Sequence, residues 1–240
     1  MSEAEAPRYW AVVPAAGSGR RLGGETPKQY LALRGRPVIA HTLERLCSHP
    51  RIAGVVVAVA PDDPWWPRLA LPAGGKAPRV VTGGAERCDS VLAALEALAE
   101  RGAPGDWVLV HDAVRPCLRA EDLDRLIDAL GADEVGGLLA VRVKDTIKRA
   151  GSDGAVSATV DRAALWHAQT PQMFRLGALR AALAAALARG RTVTDEAEAM
   201  ELAGVRPRLV EGHDDNIKIT RREDMILAEL VLARRAGESV

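Results

Sequence analysis

The chain has 240 residues, room for one large α/β domain or two small ones. Its 32 basic and 32 acidic residues balance to a formal net charge of zero and only 3% are aromatic, which argues against recruitment of nucleic acid or an anionic membrane and against a base-stacking surface. No apolar run approaches a membrane span, and the opening MSEAEAP lacks the basic and apolar regions of a signal peptide. Three scattered cysteines (Cys47, Cys88, Cys117) and five histidines without metal-ligand spacing fit a soluble, cytoplasmic chain with reduced thiols.

Trp10-Ala11-Val12-Val13 predicts a buried first strand. It breaks at Pro14 into a loop carrying Gly17, Gly19, Gly23 and Gly24, with Arg20, Arg21 and Lys28 among them. Small residues let a backbone approach a ligand closely, and successive N–H groups cradle phosphate oxygens. Two nucleotide fingerprints fail here. Leu22 stands where the third glycine of G-x-G-x-x-G belongs, and no G-K-[ST] follows as in a Walker A loop. What remains is a glycine loop armed with cations, suited to a polyphosphate that gains charge during reaction; an ordinary surface loop is the alternative.

Val38 to Leu46 sets Val38, Ile39, Thr42, Leu43 and Leu46 on one helical face. Gly54 to Ala60 is a continuous β-branched run, as in a strand buried on both faces of a parallel sheet. Pro61-Asp62-Asp63 is a turn or the start of a short helix. Arg79 to Thr82 predicts a third strand, ending at Gly83-Gly84 and leading into a helix striped by Val91, Leu92, Leu95 and Leu98. Trp107 to Val110 is a fourth strand running into His111-Asp112-Ala113-Val114-Arg115-Pro116, and Glu121 to Leu130 is a further amphipathic helix. Alternating strands and helices imply a Rossmann-like α/β fold with a mostly parallel sheet, in which ligands bind beyond the carboxyl ends of the strands. That rule collects Pro14–Lys28, Gly83–Ser90 and His111–Arg115 on one rim.

After Val143 the pattern changes. Asp145 to Arg149 and Ala155 to Val160 flank Gly151-Ser152-Asp153-Gly154, a strong hairpin signal. A long hairpin has little core of its own and needs a partner surface, a twofold-related subunit being one candidate and an exposed arm the other. Leu165 to Phe174 returns to the body, Leu176 to Leu187 is an alanine-rich helix, and Thr194 or Asp195 caps a helix to Leu202. Arg208–Val210 and Ile217–Ile219 are predicted as short strands, with Arg221 to Ala236 a closing helix. One domain over 8–236 is the economical organisation, with an arm near 143–163 and a disordered tail over 1–7.

The strings PAAGSGRRLGGETPKQY, GGAERCDSV, HDAVRP, VKDTIKR, TVDRAALWHAQTPQMF, TDEAEAME and GHDDNIKIT run in that order from Pro14 to Thr220, within a resemblance that covers the chain from about Trp10 to Glu229. Together they resemble the 2-C-methyl-D-erythritol 4-phosphate cytidylyltransferase family, of the nucleotidyltransferase class. The resemblance implies attack by a sugar-alcohol phosphate on the α-phosphorus of CTP, with Mg²⁺ held mainly by the CTP phosphates and a homodimer joined through the hairpin arm. It implies that Arg21, Lys28, Arg162 and Lys218 are the catalytic cations. The loop Pro14, Ala15, Ala16, Gly17, Ser18 and Gly19 would follow the triphosphate, with Gly84 and Ser90 at the base and ribose. Asp112, Arg115, Thr146, Thr194 and Asp195 would meet the acceptor, with Thr146 and Arg162 serving the site of the other subunit. The family often carries an acidic residue where this chain has Ala85, which leaves base readout there to the backbone.

Read without the family, several of these residues have plainer roles. Ser90, Thr194 and Asp195 suit helix caps, and His111-Asp112 suits a hydrogen-bonded closure of the strand. Arg162 suits a surface ion pair, and Lys218 a strand position facing solvent. Within the same chemistry, D-ribitol 5-phosphate is the rival acceptor. A non-catalytic nucleotide-binding dimer is the rival from another class.

Overall fold

A computed structural model of the chain describes residues 6–17, 26–71 and 75–238. Its first half contains β1 (Tyr9–Pro14), a 3-10 turn at Lys28–Tyr30, the short pair β2 (Ala32–Leu33) and β3 (Arg36–Pro37), α1 (Val38–Ser48), β4 (Ile52–Val59), β5 (Arg79–Thr82), α2 (Arg87–Ala99), β6 (Trp107–Val110) and α3 (Ala120–Leu130). The second half adds β7 (Gly136–Arg142), β8 (Ile147–Ala150), β9 (Val156–Val160), β10 (Trp166–Arg175), α4 (Leu176–Ala188), α5 (Glu196–Leu202), β11 (Arg208–Glu211) and α6 (Arg222–Arg235). Among the described residues no helix is long and apolar enough to cross a membrane.

Seven strands form one sheet in the order β11-β7-β10-β6-β1-β4-β5. Its pairings are parallel except where β10 runs antiparallel to both β6 and β7. Side chains alternate across a strand, so an unbroken apolar run serves two cores at once. In β1, Ala11 and Val13 pack with Leu43 of α1 and Leu126 of α3, while Val12 faces the opposite layer with Leu95 of α2 and Leu183 of α4. Helices on both faces follow directly from that pattern.

Strands β7 and β10 are absent from the sequence expectations, for physical reasons. The run of β7 starts on Gly136-Gly137, and β10 carries Gln169, Pro171 and Gln172 in its middle, so neither shows a clean apolar period. Ile217–Ile219 is not a strand. The segment has no regular secondary structure; Ile219 is buried, Lys218 is exposed, and the bond from Ile219 N–H to Val114 C=O (2.9 Å) anchors it to a loop instead of a ladder. Pro61-Asp62 is a turn. The tail expected over 1–7 lies outside the described residues for its first five.

β8 and β9 pair antiparallel from Ile147 opposite Val160 and form a sheet of their own. Val156 on β9 is 64% exposed, so the hairpin buries little against its own chain. At the carboxyl edge of the sheet, from which the hairpin also leaves after β7, Ala15 N–H donates to Ala58 C=O (2.7 Å), Gly83 N–H to Val59 C=O (2.7 Å) and His111 N–H to Val12 C=O (2.9 Å). These bonds carry the sheet pattern one step past the strand ends and bring three loops to one rim.

Candidate active site

Two concavities open on that rim, of about 160 and 170 Å³. The first is lined by Pro14, Ala15, Ala16 and Gly17 after β1, by Lys28 of the 3-10 turn, and by Gly84 and Ser90 after β5. Gln29 latches the start of the first loop: its buried amide donates to Ala15 C=O at 2.8 Å and Gly17 C=O at 2.9 Å. Ser18, Gly19, Arg20 and Arg21 lie outside the described residues.

Ser90 is 2% exposed and does not cap α2. Its hydroxyl accepts from Gly84 N–H and lies 3.2 Å from Glu86 C=O, fixing the loop, while Asp89 takes the Glu86 N–H at 3.0 Å. Gly83 is needed for close approach: a Cβ there would sit 2.6 Å from the Ala16 Cβ and 2.7 Å from the Ser90 hydroxyl. Gly83→Ala is therefore expected to cost about 1–3 kcal/mol by overpacking. Urea unfolding measures it, and a native midpoint would mean that the two loops are free to separate.

Three charged residues, Arg87, Asp112 and Lys218, line both cavities and form the wall between them. Arg87 Nε donates to Asp112 Oδ1 (3.1 Å), Lys218 Nζ lies 2.9 Å from Oδ2, and Arg115 Nε lies 3.5 Å from the same oxygen. Arg87 also forks onto Glu196, with Nη1 to Oε1 at 2.6 Å and Nη2 to Oε2 at 3.1 Å. Three cations thus face two carboxylates, an excess of one positive charge. Burial opposes ionisation of Asp112, but Arg87, Lys218 and Arg115 outweigh it and hold its carboxyl well below the usual range. Burial lowers the Arg115 guanidinium against the pull of Asp112, and raises the Glu196 carboxyl against that of Arg87.

His111 stays neutral, pushed down to about 4 by complete burial. Thr170 Oγ1 accepts from Asp112 N–H (3.1 Å) and gives its own proton to His111 Nδ1 (2.9 Å), which leaves Nε2–H to donate to Arg115 C=O (3.1 Å). The histidine closes the strand end through Thr170 and Arg115, and makes no bond to the Asp112 side chain.

The second cavity is lined by Arg115, by Gln169, Thr170 and Gln172 of β10, and by Thr194 and Asp195 before α5. Asp195 is the N-cap, accepting Glu198 N–H at 2.9 Å, and its other oxygen takes the Gln172 amide at 2.9 Å. Thr194 gives both its N–H and its hydroxyl to Glu198. Neither Thr146 nor Arg162 lines these two cavities. Both are exposed at the root of the hairpin, where Arg162 lines a separate concavity with Arg142, Lys144 and Asp214.

Gln29, Arg87, Thr170, Gln172 and Glu196 belong to the site and were not among the expected site residues. Their partners are 12 to 109 residues away, so no local spacing announces them. Among the described residues, no group of three or more His, Cys, Asp or Glu side chains is placed to hold a metal ion. Among the described residues, Asp112 and Glu86 are the carboxylates of the first cavity.

A family model described as IspD, 2-C-methyl-D-erythritol 4-phosphate cytidylyltransferase, matches residues 9–234. The enzyme of that name from Ectopseudomonas mendocina (strain ymp) is 57% identical over 91% of this chain and 93% of its own length. That of Pseudomonas aeruginosa (strain UCBPP-PA14) is 55% identical over 94% and 97%. A crystal structure of a 4-diphosphocytidyl-2C-methyl-D-erythritol synthase superposes with a TM-score of 0.81 at 40% identity, over 94% of this chain and 99% of that one. By sequence and by fold, the chain belongs to the 2-C-methyl-D-erythritol 4-phosphate cytidylyltransferase family.

Proposed function

We propose that the protein, as a single nucleotidyltransferase domain over 8–236, transfers a cytidylyl group from CTP to 2-C-methyl-D-erythritol 4-phosphate and releases pyrophosphate. The observation that carries this is the shared wall of Arg87, Asp112 and Lys218 between a glycine-loop cavity and a second polar cavity. A transfer between two bound phosphates needs two sites that meet at the reacting atoms.

The acceptor phosphate oxygen attacks the α-phosphorus of CTP, a new P–O bond forms, and the α–β anhydride bond breaks with its electron pair leaving on pyrophosphate. The attacking phosphate is already ionised, so no side chain has to remove a proton. The barrier is the meeting of two anions, and cations aimed at the phosphoryl oxygens lower it. Lys28 would face the triphosphate from the loop side, and the family resemblance gives Arg21 the same role. Lys218, held by Asp112, faces the acceptor phosphate, and Arg115 supports the same wall. Losing one such preorganised donor costs about 2.7–4 kcal/mol.

The donor set suits Mg²⁺ that arrives on the nucleotide. Among the described residues Asp112 is the one carboxylate on the wall and already faces three cations, so most metal ligands would be triphosphate oxygens. When bound, the ion neutralises charge on those oxygens. Buried, unpaired Cys47, Cys88 and Cys117 suit the reducing cytoplasm. Thr146 and Arg162, stranded on an exposed hairpin, would complete the acceptor site of a second subunit in a homodimer.

Pyrophosphate release from CTP and Mg²⁺, with each sugar-alcohol phosphate offered in turn, tests the reading. Release with methylerythritol phosphate is expected. Release with D-ribitol 5-phosphate alone would overturn the acceptor, and release with neither would leave a nucleotide-binding dimer. Replacing Ile147 to Thr159 by a short linker is expected to yield monomers with lowered activity, as read by sedimentation and turnover. A fully active dimer would end the shared-site reading.

A further inference from the structure

Glu196 is the most deeply buried acid near the site, 1% exposed, yet it lines neither cavity. It sits at the first residue of α5 and reaches the reaction wall through one group, the Arg87 guanidinium. Both of its oxygens are used, one on each terminal nitrogen of the fork. That leaves the Nε edge of Arg87 aimed at Asp112 Oδ1, and leaves Asp112 Oδ2 for Lys218. Glu196 is itself held in place. Ala197 N–H donates to Gln172 Oε1 at 2.8 Å, and Asp195 caps the helix while taking the Gln172 amide. Strand β10 therefore fixes the start of α5, and α5 fixes the arginine.

A buried ion pair is weak ground for stability, because well-packed apolar residues of similar volume do as well or better. Its directional content is what an apolar pair lacks, since a bidentate carboxylate sets the plane and rotation of a guanidinium. We infer that Glu196 is a positioning residue that sets the orientation of Arg87, so that Asp112 divides its two oxygens between Arg87 and Lys218 and holds the Lys218 ammonium at the acceptor phosphate. Without its charge, the Arg87 fork turns to its remaining carboxylate, Asp112, and displaces Lys218 from Oδ2. The ion pair also ties the start of α2, on the nucleotide side, to the start of α5, on the acceptor side.

This inference rests on the cytidylyltransferase reading for its kinetic consequence, but not for its geometric one. The test is Glu196→Gln, which keeps shape and a carbonyl acceptor while removing the charge. The primary readout is trace acetylation of lysines with acetic anhydride, followed by mass spectrometry, with exposed Lys148 as internal reference. Lys218 is 42% exposed at its side chain and reachable by the reagent. Its labelling relative to Lys148 is expected to rise severalfold in the variant. In turnover, kcat is expected to fall about tenfold or more and KM for the acceptor to rise, with KM for CTP near native.

If Glu196→Gln does not fold, Glu196→Asp carries the same measurement. Its arm is one methylene short of spanning both nitrogens, and a smaller rise in labelling is expected. A native Lys218 labelling ratio in the folded variant overturns the proposal, whatever happens to its unfolding midpoint. So does a fall in midpoint with native kcat and KM values, which would leave Glu196 a structural residue. If the native chain itself releases no pyrophosphate, the functional reading fails, while the labelling ratio still decides the positioning claim.

Discussion

Lys28→Met is expected to slow pyrophosphate release about 10²–10³-fold, a loss of roughly 2.7–4 kcal/mol of transition-state stabilisation, with little change in the unfolding midpoint. Lys28 opens the 3-10 turn beside the latch residue Gln29 and lines the first cavity opposite Arg87 and Asp112. It is half-buried where it lines the cavity. Methionine keeps the stem and removes the charge. The measurement is kcat at saturating CTP, beside urea unfolding of the same variant. A native kcat with only a raised KM for CTP would mean that Lys28 binds substrate and transition state equally.

Asp112→Asn is expected to destabilise the fold by about 3–5 kcal/mol at neutral pH, because it leaves Arg87, Arg115 and Lys218 around a neutral amide in a buried place. The pH dependence has a definite sign. The carboxyl is depressed in the folded state, while an unfolded aspartate titrates near about 3.9. Its contribution is thus fully present above the unfolded value and fades as pH falls toward the folded one. The stability gap between native chain and variant should be constant from neutral pH down to about 5 and narrow below about 4. Urea midpoints across that range measure it, and a gap that widens in acid would contradict the three-cation picture. Turnover is expected to be lost in the same variant, since Lys218 loses its anchor.

Strands β4, β5 and β6 were legible because each is an apolar or β-branched run bounded by glycine or polar turns, and their order with the helices forecast a parallel sheet. The hairpin was legible from Asp153-Gly154 between alternating runs. Strands β7 and β10 were not. Their polar and glycine residues serve the site and the neighbouring strands instead of a uniform apolar face, and the antiparallel sense of β10 depends on partners far away in sequence. The rim itself could be forecast from the carboxyl-end rule, since Pro14–Gly17, Gly84, Ser90 and Asp112 all follow strands. Arg87 and Glu196 could not. Each alone is an ordinary first-turn charge, and their pairing spans 109 residues. Ile217–Ile219 misled because alternation marks an extended segment whether or not a ladder is available to it.

The antiparallel strand β10 also bears on how such a site can diverge. The first cavity depends on loops after β1 and β5, on one side of β6, and the second on β10 and the start of α5, on the other. The wall of Arg87, Asp112 and Lys218 is common property. Substitutions confined to Ala168–Gln172 and Thr194–Asp195 can reshape what receives the transferred group while the donor-side loops stay as they are. The sheet acts as a seam between two separately variable halves, and lineages that keep one donor while exchanging acceptors would record their changes on the β10 side of it.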